Sequence, residues 1–408
     1  MDKLINKTNG KVLGSIIKMN RLRQNMSQKA LSEGICVNSY LSRIENAEIL
    51  PSEEVIGDLF SALAIDYRDD EVFINKAYED FNAFLDGLMF NEFDQSNKMF
   101  LEIETNEEAY VNSPVIIDYY IIKLAYYCTQ SREVFNETKS LLKSVKELMT
   151  PSQKFKYYLY TGIDTLKVAA DIEKAKVQFE KAAQFGSNGH LYNWLGYAQL
   201  ASKRPIQAMD HLKKALECYV SDGNITSIIG AYEMIGLIYY TVSDYQSGIE
   251  SYKKALRYAK STNRDYHVIN ISNQIAWGLM RTSRYDQALE TLVDDRYNSD
   301  ITVNASVTKF LIGYYLKSPV MLDALKQEFN YRNKSMHRMI YSVLLYDEYF
   351  DDKGTWLIGE DELKSLYEFA AATHFELEKA FREIAIDYYK SHRKYKEALM
   401  LTEGHMEL

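Results

Sequence analysis

Six polar or basic side chains between positions 28 and 43 have the chemistry needed to bind DNA. They are Gln28, Lys29, Asn38, Ser39, Ser42 and Arg43. In the major groove an arginine can pair with the edge of guanine, and an asparagine with the edge of adenine. The last four residues share one side of a predicted helix 38–46, which would present them together. Gln28 and Lys29 begin another short helix, where we expect them to bind phosphate.

Three short helices are predicted to position these side chains. The first has apolar residues at helical spacing, namely Val12, Ile16, Leu22 and Met26. Ser27 is a suitable N-cap for the second helix, and Gly34 permits the left-handed turn that ends it. In the third helix, Val37, Leu41 and Ile44 are expected to face the core, opposite the polar residues. This pattern predicts a compact helix-turn-helix.

The same segment resembles the phage-repressor-like, or XRE-type, helix-turn-helix family over about sixty residues. The matching residues are Leu13-Gly14, Arg21, Ser27-Gln28, Ala30-Leu31, Gly34, Ser39, Leu41-Ser42-Arg43-Ile44-Glu45-Asn46 and Pro51-Ser52. In that family the arginine seven positions before the glutamine pairs with the glutamate of the third helix. The resemblance therefore implies a structural salt bridge between Arg21 and Glu45 rather than two DNA contacts.

Charge is divided unevenly along the chain. Residues 1–52 contain eight Lys or Arg and four Asp or Glu, a net charge of +4, whereas the remainder carries −13. A basic N-terminal segment on an acidic body is suited to binding phosphates at one end only. The overall net charge of −9 therefore does not argue against DNA binding.

Composition and motifs favour a soluble, cytoplasmic protein without catalytic activity. The three cysteines (36, 128 and 218) are scattered, which predicts a reducing compartment and neither a disulfide framework nor a metal site. The N-terminus lacks the apolar segment of a signal peptide, and no stretch is apolar enough to span a membrane. The seven histidines show no HExxH spacing, and neither a P-loop nor a GxSxG motif occurs. We therefore expect no cofactor.

Beyond the helix-turn-helix, the sequence repeats with a period of 40 residues. Leu195-Gly196 corresponds to Ile235-Gly236, and Ala215 to Ala255. Small residues at fixed positions let the two helices of a hairpin pack closely. The pattern resembles the tetratricopeptide repeat, whose usual period is about 34 residues, so longer helices or loops are expected here. We predict an all-α protein: a small helix-turn-helix domain followed by a right-handed α-solenoid of such hairpins.

The first helices of these hairpins are expected to line a concave groove. Asn193 and Asn273 occupy the same repeat position, and a ladder of side-chain amides can hold an extended peptide backbone. The other predicted groove residues are Tyr197, Glu233, Tyr240, Asn270, Trp277 and Arg281. The alternative is that the asparagines are solvated and the aromatic side chains pack between helices.

An XRE-type helix-turn-helix followed by degenerate tetratricopeptide repeats resembles the peptide-pheromone receptors of the Rgg/PlcR/PrgX/NprR (RRNPP) group. The resemblance implies a homodimeric transcription regulator that binds a double-stranded DNA operator. A short signalling peptide in the groove would change the dimer geometry and with it operator binding. Because the related Rap branch regulates partner proteins, an alternative is a DNA-tethered scaffold that recruits a protein partner without a peptide ligand.

The predicted domains follow from these patterns. Residues 1–66 form the DNA-binding helix-turn-helix, and residues 67–112 form a linker helix and a divergent first repeat. Residues 113–408 form the repeat domain, to which we assign peptide binding and dimerisation.

Overall fold

The computed structural model describes residues 10–128, 131–293, 305–328, 340, 343–344, 348–352, 354–373 and 375–402. The chain forms two compact units, residues 1–227 and residues 228–408. In these described ranges the regular structure is helical, apart from an isolated antiparallel bridge between Phe350 and Trp356. The predicted all-α fold is therefore confirmed.

Four helices at the start of the described residues form the helix-turn-helix. They are α1 (Gly10–Arg23), α2 (Gln28–Ser32), α3 (Asn38–Glu45) and α4 (Glu53–Ala62). The Ser27 side chain caps α2 by accepting a hydrogen bond from the Ala30 backbone N–H at 3.1 Å, as its position predicts. Gly34 follows α2 with a φ of +77°, the left-handed conformation expected there. Ser52 caps α4 in the same way as Ser27 caps α2.

Helices α1 and α3 approach each other closely at Gly14. A Cβ atom at Gly14 would lie 2.7 Å from the Ile44 carbonyl oxygen, so only glycine fits. On the other side of this contact, Leu41 and Ile44 of α3 are buried against the core residues of α1. Gly14 therefore allows α3 to pack at this short distance from α1.

Nine further α-helices of the described residues belong to the first unit. They are α5 (Glu71–Met89), α6 (Phe93–Glu104), α7 (Glu107–Val111), α8 (Ile116–Tyr127), α9 (Arg132–Ser144), α10 (Pro151–Lys167), α11 (Ile172–Ala183), α12 (Gly189–Ala201) and α13 (Pro205–Ser221). A single hydrophobic cluster runs from the helix-turn-helix through these helices to α12. The DNA-binding segment is thus packed against the body of its own unit.

The second unit is built from the helices that follow. Helix α14 (Ile225–Thr241) contains the start of this unit, and the others are α15 (Tyr245–Ser261), α16 (Asp265–Arg281), α17 (Tyr285–Thr291), α18 (Ala305–Tyr315), α19 (Pro319–Glu328), α20 (Glu360–Thr373), α21 (Phe375–Ser391) and α22 (Tyr395–Thr402). Helices α14, α15 and α16 each have 17 residues. With three-residue turns between them, they account for the 40-residue period.

The turns that follow these three helices share one backbone feature. The central residues Ser243, Asn263 and Ser283 have φ values of +64°, +52° and +60°. This left-handed conformation ends one helix and starts the next within three residues, although it is unfavourable for residues other than glycine. The longer repeat therefore comes from long helices and not from long loops.

Candidate DNA-binding surface and groove positions

Arg21 and Glu45 form the salt bridge that the family resemblance implies. Arg21 Nε donates to Glu45 Oε1 at 2.5 Å, and a second guanidinium nitrogen donates to Oε2 at 2.9 Å. The Glu45 carboxylate is fully buried, and Arg21 also donates to the Met26 carbonyl oxygen at 2.8 Å. The pair ties α1 to α3 and to the turn before α2.

Gln28 is the third member of this network. Its side-chain amide nitrogen donates to Glu45 Oε2 at 2.7 Å. We expected this side chain to bind phosphate; in the structure it is instead engaged with the buried carboxylate. The reason is geometric, because Gln28 begins α2 directly beside α3, where Glu45 needs a further donor.

The outer face of α3 presents the remaining predicted DNA-binding residues. Asn38, Ser39 and Arg43 are exposed, and Ser42 is partly exposed. Arg43 lies 3.7 Å from the carboxylate of exposed Glu48, a weak surface pair that leaves the guanidinium able to reach DNA. Lys29 is exposed on α2. These five side chains remain the predicted DNA contacts.

Val37 does not lie where the periodicity predicted. It was expected to face the core with Leu41 and Ile44, but its side chain is 70% exposed, whereas those two are buried. Val37 is the N-cap residue of α3, and its backbone is extended. Because helical periodicity does not apply before the first helical residue, the side chain points away from the core.

Polar contacts hold α1 to the segment 107–111. The Asn20 side-chain amide donates to the Val111 carbonyl oxygen at 2.8 Å, and Arg23 donates to Asn20 Oδ1 at 2.9 Å. Arg23 also lies 3.4 Å from a carboxylate oxygen of Glu108 and 3.8 Å from one of Glu107. No sequence pattern predicted this contact, because Asn20 and Arg23 resemble surface residues of an amphipathic helix.

In the first unit, the predicted groove residues Asn193 and Tyr197 lie on α12. Tyr197 is 46% exposed and Asn193 is partly exposed. The rings of Trp194 and Tyr197 are in edge-on contact, with 6.0 Å between the ring centres. Lys167 Nζ lies 4.9 Å from the centre of the Trp194 ring. The structure thus adds Trp194 and Lys167 to this surface. A tryptophan beside the repeat motif was the only sequence signal for either.

His190 supports Trp194 from the same helix. The Trp194 indole nitrogen donates to His190 Nε2 at 3.1 Å, so this nitrogen carries no proton. Burial and the nearby Lys167 ammonium lower the pKa of His190 to about 4. The imidazole is therefore neutral at physiological pH and holds the indole in one orientation.

In the second unit, three predicted groove residues lie in the interior. Tyr240, Asn273 and Trp277 are 0%, 3% and 0% exposed. Tyr240 donates to the Gln274 carbonyl oxygen at 2.8 Å, Asn273 Oδ1 accepts from the Val293 N–H, and Trp277 donates to a Glu376 carboxylate oxygen. The expectation that these three line a groove is corrected. Tyr240 and Trp277 pack between helices, which is the alternative that the repeat pattern left open, whereas Asn273 is buried and therefore neither lines a groove nor is solvated.

Arg281 is also engaged within the second unit. Two of its guanidinium nitrogens donate to the two carboxylate oxygens of Glu383 on α21, both at 2.6 Å. It also donates to the hydroxyl groups of Tyr245 and Tyr315. The side chain is almost fully buried. Its predicted role as a peptide contact is therefore replaced by a structural one, which joins α16 to α15, α18 and α21.

Two predicted groove residues of the second unit remain accessible. Glu233 and Asn270 are partly exposed. A carboxylate oxygen of Glu233 lies 3.4 Å from His267 Nδ1, and both side chains keep about a quarter of their surface in solvent. Position 233 on α14 and position 270 on α16 therefore stay candidates for ligand contact.

Within the described ranges, no group of three or more His, Cys, Asp or Glu side chains is arranged to hold a metal ion. No helix in this part of the chain has both the length and the apolar character to cross a membrane.

Comparison with known proteins identifies the DNA-binding segment. Residues 17–69 match the helix-turn-helix family HTH_3. The transcriptional activator NprA of Geobacillus stearothermophilus is 22% identical over 407 residues, covering 90% of this chain and 96% of NprA. This relation extends the match from the N-terminal segment to almost the whole chain.

Solved structures share the helical fold. The apo form of RapI has a TM-score of 0.64 at 11% identity, covering 80% of this chain and 97% of RapI. The apo form of the quorum sensor NprR from B. thuringiensis has a TM-score of 0.59 at 16% identity, covering 81% of this chain and 97% of NprR. NprR in complex with its cognate peptide NprX has a TM-score of 0.51 at 18% identity, covering 81% of this chain and 98% of NprR. The chain therefore contains a helix-turn-helix of the HTH_3 family, is similar over almost its whole length to a transcriptional activator, and shares the helical fold of these solved structures.

Proposed function

We propose that a short peptide binds the helical repeats of this regulator and thereby controls its binding to operator DNA. The observation that carries the proposal is the surface of α12 formed by Asn193, Trp194 and Tyr197, with Lys167 beside it. An exposed aromatic side chain such as Tyr197, in edge-on contact with a second ring, suits a binding surface.

The chemistry of this surface fits a peptide. The Asn193 amide can donate to and accept from a peptide backbone at the same time. The Tyr197 and Trp194 rings offer a face and an edge to an apolar side chain, and the Lys167 ammonium offers a partner to a carboxylate. In the second unit, Glu233 and Asn270 remain predicted peptide contacts. That NprR has a cognate peptide supports a peptide as the class of ligand.

We further propose that the regulator acts as a homodimer. A single helix-turn-helix covers little DNA, and paired domains with a fixed spacing are the usual way to reach tight, specific binding. Peptide binding would then act on the distance or orientation between the two α3 helices. This coupling is the step that distinguishes a peptide-gated regulator from a DNA-tethered scaffold.

The experiment first selects peptides that bind the full-length chain from a display library of random heptapeptides. Operator affinity is measured with a duplex enriched from random DNA, and the mass of the protein is measured with and without peptide. We expect an enriched peptide to change operator affinity or dimer geometry. The variants Asn193→Ala and Tyr197→Ala should each weaken peptide binding by about tenfold, because a few well-placed residues dominate such interfaces.

The matched control is Tyr395→Ala on α22, since Tyr395 is another exposed tyrosine. It should leave peptide affinity unchanged. Peptide binding that persists in the double variant Asn193→Ala, Tyr197→Ala would refute the assignment of the surface. Peptides that bind without any effect on DNA affinity or dimer geometry would refute gating and favour the scaffold.

A further inference from the structure

We propose that Val37 is a specificity-determining residue that contacts the 5-methyl group of a thymine in the operator. The side chain is 70% exposed at the N-terminus of α3, the helix that carries Asn38, Ser39 and Arg43. In helix-turn-helix proteins the N-terminal residues of the recognition helix contact base edges in the major groove. Val37 thus lies at the end of α3 that contacts base edges in proteins of this kind.

Val37 does not cap its helix, whereas the N-cap residues of the two neighbouring helices do. Ser27 and Ser52 cap α2 and α4 through their side chains, whereas Val37 makes no side-chain cap and leaves the first amides of α3 without one. Serine, threonine, asparagine and aspartate are strongly preferred at this position over valine. An apolar side chain that neither caps the helix nor enters the core is available for contact with the DNA.

Base chemistry identifies that partner. The edges of the bases in the major groove are hydrogen-bond donors and acceptors, apart from the methyl group of thymine. Asn38, Ser39 and Arg43 can bind the polar edges, while the two methyl groups of Val37 can form only an apolar contact. The surface of α3 therefore predicts an operator half-site in which a thymine lies next to the bases bound by Asn38 or Ser39.

The test uses the full-length chain and a duplex that it enriches from a random DNA pool. Each thymine of that duplex is replaced in turn by deoxyuridine, which removes only the methyl group. For the wild type we expect one thymine per half-site at which this replacement lowers affinity about fivefold, the effect of exposing one buried methyl group. Val37→Ala should bind the original duplex about fivefold more weakly and be insensitive to that replacement.

Val37→Ser separates base contact from helix stability. A serine here can cap α3, so the thermal midpoint should stay the same or rise while affinity for the enriched duplex falls. Val72→Ala is the matched control, because Val72 is 82% exposed in the first turn of α5. It should behave as the wild type in every assay. The proposal is overturned if Val37→Ala keeps wild-type affinity, or if it responds to deoxyuridine as the wild type does.

Discussion

Arg21 and Glu45 form a buried, bidentate ion pair that joins α1 and α3 of the helix-turn-helix. Arg21 also reaches the turn before α2 through the Met26 carbonyl oxygen, and Gln28 completes the hydrogen bonds of the carboxylate. The position of α3, and hence of every side chain on its outer face, therefore depends on charges that cannot contact DNA themselves.

Removing one partner of this pair should unfold the domain locally. Arg21→Met leaves a buried carboxylate without its cation, which should lower the stability of the helix-turn-helix by about 3–5 kcal/mol. Trp194, Trp277 and Trp356 all lie outside the domain, so fluorescence would miss the change. Hydrogen exchange of the amides of α1 and α3 would detect it. The double variant Arg21→Met, Glu45→Leu should recover much of the lost protection, because it buries no unpaired charge; equal losses in both variants would contradict this account.

A second prediction concerns the contact between α1 and α3. In Gly14→Ala the new methyl group would lie 2.7 Å from the Ile44 carbonyl oxygen and 3.2 Å from that of Glu45. Since both neighbours are backbone atoms, α3 must move, at a cost of about 1–3 kcal/mol. We expect weaker operator binding together with a lower thermal midpoint of the domain. Gly10→Ala on the same helix is the control, because its Cβ would meet only Ala47 Cβ at 3.9 Å.

Local sequence signals predicted the helix-turn-helix and the hairpins well. Ser27 and Gly34 do what their residue types favour, and the 40-residue period is matched by helices of 17 residues. Such features depend on residues that are close in sequence. The contact of Asn20 with Val111 joins residues 91 positions apart. It could not be predicted, because no pattern in either segment indicates that the two segments meet.

The groove positions show a different limit of sequence patterns. Repeat spacing places Tyr197 and Trp277 at the same repeat position, two periods of 40 residues apart, but only Tyr197 is exposed. Trp277 is covered because Glu376, 99 positions later, supplies an acceptor for its indole. Helical periodicity indicates which face of a helix a residue occupies, but it does not indicate what later packs on that face.

Trp277 should therefore behave as a core residue. In Trp277→Phe the Glu376 carboxylate loses an indole donor at 3.0 Å while keeping that of Tyr245. We expect the second unit to lose about 1–3 kcal/mol of stability, as is usual when a buried acceptor loses a donor. Chemical denaturation followed by circular dichroism would measure the loss. Operator binding at low temperature should be unchanged; a selective loss of peptide binding with no loss of stability would restore Trp277 as a ligand contact.

The neutral state of His190 predicts a pH dependence of stability. Its pKa is about 4 in the folded chain, and about 6.5 is expected after unfolding. Between these values the unfolded chain binds more protons, so the free energy of unfolding should fall as the pH is lowered from about 6.5 to about 4, by roughly 2–3 kcal/mol in total. In His190→Gln, which cannot titrate, this part of the pH dependence should vanish. An unchanged difference between pH 7 and pH 5, measured by urea denaturation, would show that other groups cause it.

The outer face of α3 and the start of α2 should contribute to DNA binding in different ways. Arg43 projects from the recognition helix with its guanidinium held only weakly by Glu48, so Arg43→Ala should lose about 1–3 kcal/mol on the preferred duplex and discriminate less between sequences. Lys29 is exposed on α2, where a phosphate contact is expected, so Lys29→Ala should weaken binding to all sequences alike. Its loss should also reduce the slope of log affinity against log salt by about 1. Titrating both variants against preferred and scrambled duplexes at several salt concentrations separates the two effects. A loss by Arg43→Ala that is equal on both duplexes would mean that Arg43 binds only phosphate.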